Sequence, residues 1–305
     1  GLSVSLLLPQ TGGAAQRHRF HDLTVSHREQ LTDRAVALTF AVPDELAPLF
    51  LRFEAGQHLT LRADIGGEDV RQSYSLCLSP DRARLMQAVR VGVGQVPGGR
   101  MSSFLNSAVR VGDTLSVMPP LGSFTVPSDP ATAKHHCLIA AGSGITPVLS
   151  HVENILTREP RSQVTLFFGN RTTADVMFLE ELEDLKNAHM GRFQLVHVLS
   201  REPQTVELLS GRMDPERLDR LFQAFAPVGS VDEYYLCGPF GMVEGAQALL
   251  ASLGVDEAHV HHEVFHVPVD GLSVPAVPAE DVAADAVVTV TLDGRTSRIE
   301  MHDSA

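Results

Sequence analysis

Short apolar segments that end near glycine or proline dominate the first half of the chain. Strands are predicted where apolar and polar residues alternate, or where a short apolar run meets such a turn residue. This pattern recurs in segments 31–42, 56–61, 70–78, 85–93 and 115–118. A Gly66-Gly67 pair between two of these segments is typical of a hairpin. Many short strands at this spacing predict an antiparallel β-barrel over residues 20–128.

The pattern changes after Pro130, where uninterrupted apolar runs alternate with helical stretches. Such runs are typical of strands buried on both faces of a parallel sheet, and they lie at 136–141, 164–168, 193–199 and 233–237. Helices are predicted after these runs, at 147–158, 178–186, 218–224 and 242–253. The alternation predicts a doubly wound parallel sheet over residues 131–266. The predicted fold class is therefore an antiparallel β-barrel followed by an α/β domain.

The remaining residues are assigned mainly from their composition. Residues 1–19 are predicted to be a flexible N-terminal segment, and residues 267–286, rich in proline, alanine, valine and aspartate, a linker. The alternating residues on both sides of Asp293-Gly294 predict a β-hairpin with a type I′ turn. A lone hairpin is only marginally stable in water. Residues 287–305 are therefore expected to begin a third domain that is cut short.

Composition and charge limit the functions that such a fold could serve. A chain of 305 residues is long enough for two domains. A formal net charge of −13 argues against an electrostatic nucleic-acid binder. No apolar run reaches the roughly 18 residues of a membrane-spanning helix, so no membrane partner is predicted.

Cysteine and histidine usage bears on compartment and metal binding. Three dispersed cysteines form neither a disulfide framework nor a C-x-x-C metal pair, which favours a reducing, cytoplasmic compartment. His259, His261, His262 and His266 cluster near the end of the sheet domain. No cysteine or acidic spacing supports a metal there, so a solvated strand face is preferred and no metal site is predicted.

The segment that begins at Arg71 combines a cation, an aromatic ring and hydroxyl groups. In an extended strand Arg71, Ser73 and Ser75 share one face, so a bend would be needed to bring Tyr74 beside them. A guanidinium binds phosphate through two bonds, a phenol ring packs on a flat heterocycle, and a serine hydroxyl can bond a flavin nitrogen. This chemistry indicates a flavin site, although an ordinary edge strand with an exposed arginine would show the same pattern.

The stretch Gly98-Gly99-Arg100-Met101-Ser102-Ser103 supports the flavin interpretation. Its two glycines let the backbone approach a ligand closely. Ser102 and Ser103 open a short predicted helix, and the N-terminus of a helix is an anion site. Met101 is expected to pack more than to take part in chemistry.

A glycine-rich turn, Gly142-Ser143-Gly144-Ile145-Thr146-Pro147, lies between a predicted buried strand and a helix. The carboxyl edge of a sheet and the helix dipole favour a pyrophosphate there. Pro147 replaces the last glycine of the G-x-G-x-x-G fingerprint, so a tight turn without a ligand stays an alternative. Cys237-Gly238-Pro239 ends another strand at the same edge, where the cysteine is either a small buried hydrophobe or part of a ligand site.

Two further strand ends carry cations. Ser200-Arg201 and Asn170-Arg171 each follow a predicted strand, and a hydroxyl beside a guanidinium suits the 2′-phosphate of NADPH. Solvated loop arginines are the alternative explanation. NADPH is therefore preferred, and NADH stays a candidate.

In this order, the two groups of motifs resemble the ferredoxin–NADP⁺ reductase superfamily. Within it, the chain is most similar to oxygenase reductases of the phenylacetyl-CoA type, which carry a C-terminal 2Fe–2S ferredoxin domain. The resemblance implies that Arg71 holds the FAD phosphate, Tyr74 stacks on the flavin and Ser75 contacts its reactive nitrogen. It also implies that residues 98–103 cradle the FAD pyrophosphate.

The resemblance implies further roles in the NAD(P)H half. Thr146 would lie beside the nicotinamide, and Cys237 would pack where hydride passes. Glu263 would help to relay protons, and the Phe265 ring would cover the flavin until nicotinamide displaces it, although an edge strand with a core phenylalanine also explains these residues. One departure is Gly94, where relatives are expected to have a basic residue.

The implied activity is that of an NAD(P)H-dependent flavoprotein reductase. Hydride would pass from NADPH to FAD, with Ser75, Cys237, Glu263 and Phe265 as the catalytic candidates, and single electrons would then reach an iron–sulfur domain and a multicomponent oxygenase of phenylacetate catabolism. A plant-type cluster needs C-x₄-C-x₂-C and a fourth cysteine, and no cysteine follows Cys237. Residues 287–305 are therefore expected to be the start of that domain, cut short just before its cysteines. A reductase for a different acceptor, as in flavohaemoglobins, and a non-enzymatic nucleotide-sensing module are the alternatives.

Overall fold

The computed structural model describes residues 19–266, 286–292 and 295–301. Nearly all of the predicted N-terminal segment and of the predicted linker lies outside the described residues, as does the predicted turn at Asp293-Gly294.

The first domain is an antiparallel barrel. Its strands are β1 (His21–Thr32), β2 (Ala35–Ala41), β3 (His58–Asp64), β4 (Asp69–Ser75), β5 (Ala88–Gly94) and β6 (Thr114–Leu121). They lie in the order β4-β3-β6-β1-β2-β5, and an antiparallel bridge between Leu76 and Val91 closes the two edges. The connections contain the short helices α1 (Ala47–Phe50), α2 (Pro80–Met86) and α3 (Arg100–Ser107). The predicted barrel is confirmed.

Two predicted strands are wrong in extent. Segment 31–42 is the hairpin of β1 and β2, with a two-residue turn between them. The hydrophobic pattern gave no sign of this turn. Strand β2 is buried at six of its seven positions, so apolar and polar residues do not alternate along it. Segment 85–93 begins inside α2, which Ser79 caps by accepting a 3.3 Å hydrogen bond from the backbone N–H of Arg82. A helix this short shows too little of the helical period to be recognised from its apolar residues.

The second domain is a parallel sheet with helices on both faces, which confirms the doubly wound α/β prediction. Its strands are β7 (His135–Ala141), β8 (Gln163–Asn170), β9 (Phe193–Leu199), β10 (Glu233–Pro239) and β11 (Val260–His266), in the order β11-β10-β7-β8-β9. Helices α4 (Ile145–Arg158) and α5 (Leu179–Ala188) pack on one face, and α6 (Pro215–Phe225) and α7 (Phe240–Ser252) on the other. The strand order reverses between β7 and β10, and such sheets bind ligands at the carboxyl ends of the strands beside this point.

The last described residues form a β-hairpin. Strands β12 (Ala286–Leu292) and β13 (Arg295–Met301) pair antiparallel, with Leu292 opposite Arg295. The predicted pair of strands is therefore present, whereas the domain boundaries and the assignment to a third domain stay predictions. Among the described residues, no helix combines the length and the apolar character needed to cross a bilayer.

The two domains dock through α4. The Ser150 hydroxyl donates to the Leu78 carbonyl at 2.7 Å, and the Arg158 guanidinium donates two bonds of 2.7 Å to the Asp81 carboxylate. Helix α4 also follows directly after the glycine-rich turn. The same element that begins at the turn is therefore fixed against the barrel along its length.

His151, in the middle of α4, makes the stability of the fold depend on pH. Its side chain is fully buried, and its Nε2 donates to the Phe124 carbonyl at 3.0 Å. Burial lowers its pKa from 6.5 to about 4. The unfolded chain therefore binds this proton more readily than the folded protein. The contribution of neutral His151 to the free energy of unfolding is fully present above about pH 6.5. It is lost as the pH falls towards about 4, which lowers that free energy by on the order of 3 kcal/mol.

We expect the urea midpoint of the wild-type protein to fall between pH 7 and about pH 4.5. His151→Gln keeps a donor that can reach the Phe124 carbonyl but cannot titrate, so its midpoint should fall less over the same interval. An equal fall in both proteins would assign this pH dependence to other groups.

Candidate functional site

The carboxyl ends of β4 and of the central sheet strands meet where the barrel contacts the sheet domain. Ser75, the last residue of β4, is 3% exposed, and its hydroxyl donates to the Glu263 carboxylate at 3.4 Å. Glu263 lies opposite Cys237 in the register of β11 and β10. Three of the four predicted catalytic residues are thus brought together from two domains.

Cys237 is a protonated thiol in this environment. Its side chain is fully buried, and burial, aided by the negative charge of Glu263, raises its pKa well above the ordinary value. A neutral thiol is a poor nucleophile. The cysteine can therefore shape an apolar surface beside Ser75 and Glu263, but it cannot supply a thiolate.

The glycine-rich turn contacts the end of β10 at backbone distance. Gly142, Ser143 and Gly144 form a 3₁₀ turn between β7 and α4. A Cβ at Gly144 would collide with the Cys237 carbonyl oxygen and would lie 2.6 Å from the Cys237 carbonyl carbon and 2.9 Å from the Gly238 nitrogen. Glycine is required at position 144 because two backbone segments touch there, which brings the predicted dinucleotide turn directly against Cys237-Gly238.

The Thr146 hydroxyl serves the same turn. Thr146 is buried, and its Oγ1 donates to the Ser143 carbonyl at 3.0 Å. Its methyl group points towards β5 of the barrel, 2.7 Å from where a Cβ on Gly92 would lie. Thr146 therefore links the predicted nicotinamide turn to the barrel.

Strand β4 lacks the bend that the sequence argument required. It pairs with β3 from Asp69 to Ser75 without a register shift. Tyr74 is thus on the opposite face from Arg71, Ser73 and Ser75, and its ring packs against the barrel core. The expectation of a bend is wrong, because an uninterrupted ladder with β3 holds the segment extended.

The polar groups of β4 differ in their partners. The Arg71 guanidinium binds Asp69 at 2.7 Å and stays 43% exposed. The Ser73 hydroxyl lies 3.1 Å from that of Thr60 on β3. The Tyr74 hydroxyl is buried with no hydrogen-bond partner among the described residues, and burial raises its pKa.

The stretch from Gly98 to Ser103 forms the turn into α3. Gly98 has a φ of +74°, a left-handed conformation, with open space where a side chain would be. The Ser102 hydroxyl is used inside the turn, where it accepts from the Val96 N–H at 3.1 Å. Met101 is buried in the barrel core, as its packing role required. The backbone at Gly98-Gly99 and the residues Arg100 and Ser103 remain as candidates for an anion.

Arg100 connects this turn to the hairpin before β4. Its guanidinium forms an ion pair with Glu68 and donates to the Ile65 carbonyl. Glu68 lies directly before β4, so the two predicted FAD segments are adjacent on the surface of the barrel. An arriving phosphate could compete with Glu68 for this guanidinium.

The two predicted 2′-phosphate segments lie side by side at the carboxyl edge of the sheet. The N–H groups of Ser200 and Arg201 donate to the carbonyls of Asn170 and Arg171 at 2.9 and 2.8 Å. Both arginines are exposed, and no ion pair holds either guanidinium within the described part of the chain. The side-chain nitrogen of Asn170 is buried without a hydrogen-bond partner there.

Glu202 is a residue of this edge that the sequence argument left without a role. Its carboxylate accepts bonds from the Thr173 N–H at 2.7 Å and from the Thr173 hydroxyl at 2.8 Å. These bonds lower its pKa, so a negative charge stands next to Arg201. Only the adjacency in sequence to Arg201 could have drawn attention to it.

Phe265 and the predicted histidine cluster lie in β11 and in the residues just before it. Phe265 is partly buried against the core beneath α4 and α5. His261 stacks on the Tyr235 ring at 4.7 Å and binds Glu233 at 3.1 Å, and His259 lies 3.4 Å from the same carboxylate. Within the described residues, no group of three histidine, cysteine or acidic side chains could hold a metal ion.

Several features fit a flavin nucleotide on the barrel and a dinucleotide on the sheet. The side-chain nitrogen of Asn170 is a buried donor without a partner among the described residues, and such groups are usually satisfied. Gly98 and Gly142 have positive φ angles and open space beside them, which leaves room for a phosphate to approach the backbone.

Comparisons with known proteins support these two halves separately. The family described as oxidoreductase FAD-binding domain matches residues 22–126, and the family described as oxidoreductase NAD-binding domain matches residues 138–248. The chain is 39% identical to a subunit of the 1,2-phenylacetyl-CoA epoxidase of Escherichia coli K12, over 93% of this chain and 77% of that protein. The chain belongs to the ferredoxin reductase family. It is an NAD(P)H-dependent flavoprotein reductase with an FAD-binding and an NAD(P)H-binding domain.

A second relative agrees in sequence, and two solved structures agree in fold. The ferredoxin reductase component of 3-ketosteroid-9-alpha-monooxygenase from Rhodococcus rhodochrous is 35% identical, over 91% of this chain and 75% of that protein. A cytochrome P450 reductase from Amycolatopsis superimposes with a TM-score of 0.68 at 27% identity, over 81% of this chain and 70% of that one. A ferredoxin NADP⁺ reductase from Neisseria gonorrhoeae, solved with bound FAD and NADP, shares the fold at 22% identity and a TM-score of 0.67, over 81% of this chain and 98% of that one.

Proposed function

We propose that this reductase transfers hydride from NADPH to FAD and delivers the electrons one at a time to a 2Fe–2S domain, and through it to an oxygenase of phenylacetate catabolism. The observation that carries the proposal is the contact between Ser75 and Glu263, which joins the FAD-binding domain to the NAD(P)H-binding domain beside Cys237. The names of two relatives, one from a phenylacetyl-CoA epoxidase and one a monooxygenase reductase component, support the choice of an oxygenase system.

We assign the FAD to the barrel surface that β4 and the start of α3 share. Arg71 and Arg100 would exchange the carboxylates of Asp69 and Glu68 for the phosphates, which accept stronger bidentate bonds from a guanidinium. The open backbone at Gly98 and the N-terminus of α3 favour the same anion.

We assign NADPH to the carboxyl edge of the sheet. The pyrophosphate would lie on the turn from Gly142 to Thr146, at the N-terminus of α4. The 2′-phosphate would lie between Arg171 and Arg201, whose guanidinium groups are exposed. The negative charge of the neighbouring Glu202 disfavours a phosphate at this position. Its carboxylate accepts a hydrogen bond from the Thr173 hydroxyl.

The chain's own residues would handle the proton and exclude water. Bound FAD supplies the conversion of one hydride into two single electrons. The Ser75 hydroxyl, buried and bonded to Glu263, can hold or pass a proton at the reacting edge of the cofactor. The neutral Cys237 thiol and the partly buried Phe265 ring keep the surrounding surface apolar.

The acceptor and the compartment complete the proposal. The antiparallel pair of β12 and β13 is the kind of hairpin with which a plant-type ferredoxin domain is expected to open. A net charge of −13 suits a partner that presents basic groups. All three cysteines are unpaired, which favours the reducing cytoplasm as the site of action.

Anaerobic reduction of the FAD-loaded protein tests the proposal. NADPH should bleach the flavin absorbance within seconds, and an added plant-type 2Fe–2S ferredoxin should then be reduced, about two molecules for each NADPH. Protein that binds FAD but is bleached by neither NADPH nor NADH would contradict the proposal and favour a nucleotide sensor. Bleaching without reduction of the ferredoxin would indicate a different acceptor.

Arg201→Ala should separate the two nicotinamide cofactors. Loss of a guanidinium that binds the 2′-phosphate removes a charge-assisted bond worth about 2 kcal/mol, so the KM for NADPH should rise roughly 30-fold. The KM for NADH, which lacks that phosphate, should change less than about threefold. Arg220→Ala is the matched control, because it removes an exposed arginine of α6 that is paired with Glu207. Equal losses for both cofactors in Arg201→Ala would contradict the 2′-phosphate assignment.

A further inference from the structure

We infer that the face of β5 that carries Arg90 and Gly92 is a positioning surface for hydride transfer, because it sets how close the nicotinamide turn comes to the FAD-binding barrel. The inference rests on the proposed function and names residues to which neither the sequence motifs nor the family comparisons give a role. Arg90 and Gly92 lie on alternate positions of β5, so their side-chain directions share one face.

Gly92 meets the sheet domain at van der Waals contact. A Cβ at this position would lie 2.7 Å from the Thr146 methyl carbon and 2.7 Å from the tip of the Phe178 ring. Gly92 does not have a positive φ angle, so its backbone conformation does not require glycine. The absence of a side chain is therefore explained by the approach of Thr146 and Phe178, and any larger residue would push them away.

Phe178 is held in an unfavourable conformation at this contact. Its φ of +59° and ψ of +30° lie in the left-handed region, which bulky residues rarely occupy. Such a conformation persists where the surroundings determine it completely, and it is often associated with function. The ring is buried, with one side against the β5 backbone at Gly92 and its face 5.1 Å from the Arg90 guanidinium.

Arg90 fixes the second domain against this face. Its side chain is almost fully buried and forms ion pairs of 2.6 Å with Glu29 on β1 and 2.6 Å with Glu181 on α5. Glu181 follows Phe178 in the first turn of α5. The guanidinium thus binds both the barrel and the helix that follows Phe178, and this buried link holds the ring against Gly92.

The consequence concerns distance. Thr146 belongs to the turn that is proposed to hold the dinucleotide, and its methyl group rests on β5. Hydride transfer requires the reacting atoms to lie about 3 to 3.5 Å apart, and a displacement of about 1 Å can cost roughly 100-fold in rate. A shift of Thr146 away from β5 would therefore slow the hydride step without removing any group that binds either cofactor.

Gly92→Ala tests the inference on the FAD-loaded protein. At saturating NADPH the rate of flavin reduction should fall at least about tenfold, whereas the half-saturating NADPH concentration and the FAD content should stay within about threefold of wild type. With deuterated NADPH, the slowed step should show a full primary isotope effect. Gly94→Ala is the matched control two residues along β5, because a Cβ there would lie at an ordinary 3.4 Å from the Ser143 Cβ. It should reduce FAD within about twofold of the wild-type rate.

Phe178→Leu probes the same contact by removing the ring instead of adding to the strand. Leucine meets the same backbone constraint, and the rate at saturating NADPH should fall about threefold or more without a matching change in half-saturation. It also decides the matter if Gly92→Ala does not fold. Reduction at the wild-type rate in Phe178→Leu, or in a folded Gly92→Ala, would overturn the inference. A wild-type protein that NADPH does not bleach would instead refute the proposed function.

Discussion

Ser75→Ala is expected to slow the reduction of bound FAD by NADPH about 100-fold, while FAD and NADPH bind nearly as tightly as in the wild type. Ser75 is buried at the junction of the domains, and its hydroxyl donates to Glu263 at 3.4 Å. Alanine removes the group that can hold a proton beside the reacting edge and leaves the carboxylate without that donor. Stopped-flow measurement of flavin absorbance over a range of NADPH concentrations separates the rate from the affinity.

Ser116→Ala serves as the control for the loss of a barrel hydroxyl. Ser116 lies on β6 and donates to the Asp22 carboxylate at 2.8 Å on the exposed side of the barrel. Its removal should leave flavin reduction unchanged and cost at most about 0.5 kcal/mol of stability. If Ser75→Ala reduced FAD as fast as Ser116→Ala, the hydroxyl would have no part in the reaction.

Gly144→Ala should abolish NADPH-dependent reduction, with a loss of more than about 100-fold. The new Cβ would meet only backbone atoms, namely the carbonyl group of Cys237 and the nitrogen of Gly238 at 2.9 Å. Strand β10 pairs with β7 on one side and β11 on the other, so it cannot yield. The dinucleotide turn would have to move away from Cys237, and overpacking of this kind costs about 2 kcal/mol of stability.

Chemical reduction distinguishes this defect from general unfolding. Dithionite should still bleach the FAD of Gly144→Ala, because the barrel is not touched, whereas NADPH should not. Gly191→Ala is the matched control, since a Cβ there has open space within 4 Å. Normal reduction by NADPH in Gly144→Ala would mean that the turn can separate from β10 without consequence for the cofactor.

The sequence was sufficient to predict the two domains, because apolar residues recur along the chain in a different pattern in each. The uninterrupted runs of β7 and β8 and the amphipathic helix α4 between them were predicted within about two residues of their observed ends. The hairpin of β1 and β2 was missed because β2 is buried on both faces and lacks the alternation that marks a half-buried strand. The local pattern therefore predicts a strand of the barrel well only where that strand is buried on one face.

The candidate site was predicted as a set of motifs but not as an arrangement. Ser75 and Glu263 are 188 residues apart, and their contact depends on how α4 docks on the barrel. The bend proposed for Tyr74 was wrong because pairing with β3, which one strand's sequence does not reveal, keeps β4 regular. Gly92 and Phe178 carry no motif, since a close backbone contact and a left-handed φ become visible only in three dimensions.

Helix α4 has a practical consequence for anyone who wishes to recombine these modules. It carries the dinucleotide turn at its first residue, yet Ser150 and Arg158 bind Leu78 and Asp81 of the barrel. A chimaera that joins this barrel to a nucleotide-binding domain from another protein would keep Leu78 and Asp81 but lose Ser150 and Arg158, which bind them. The residues around α2 and helix α4 should therefore be transferred together, so that the transferred domain keeps the barrel surface to which α4 binds.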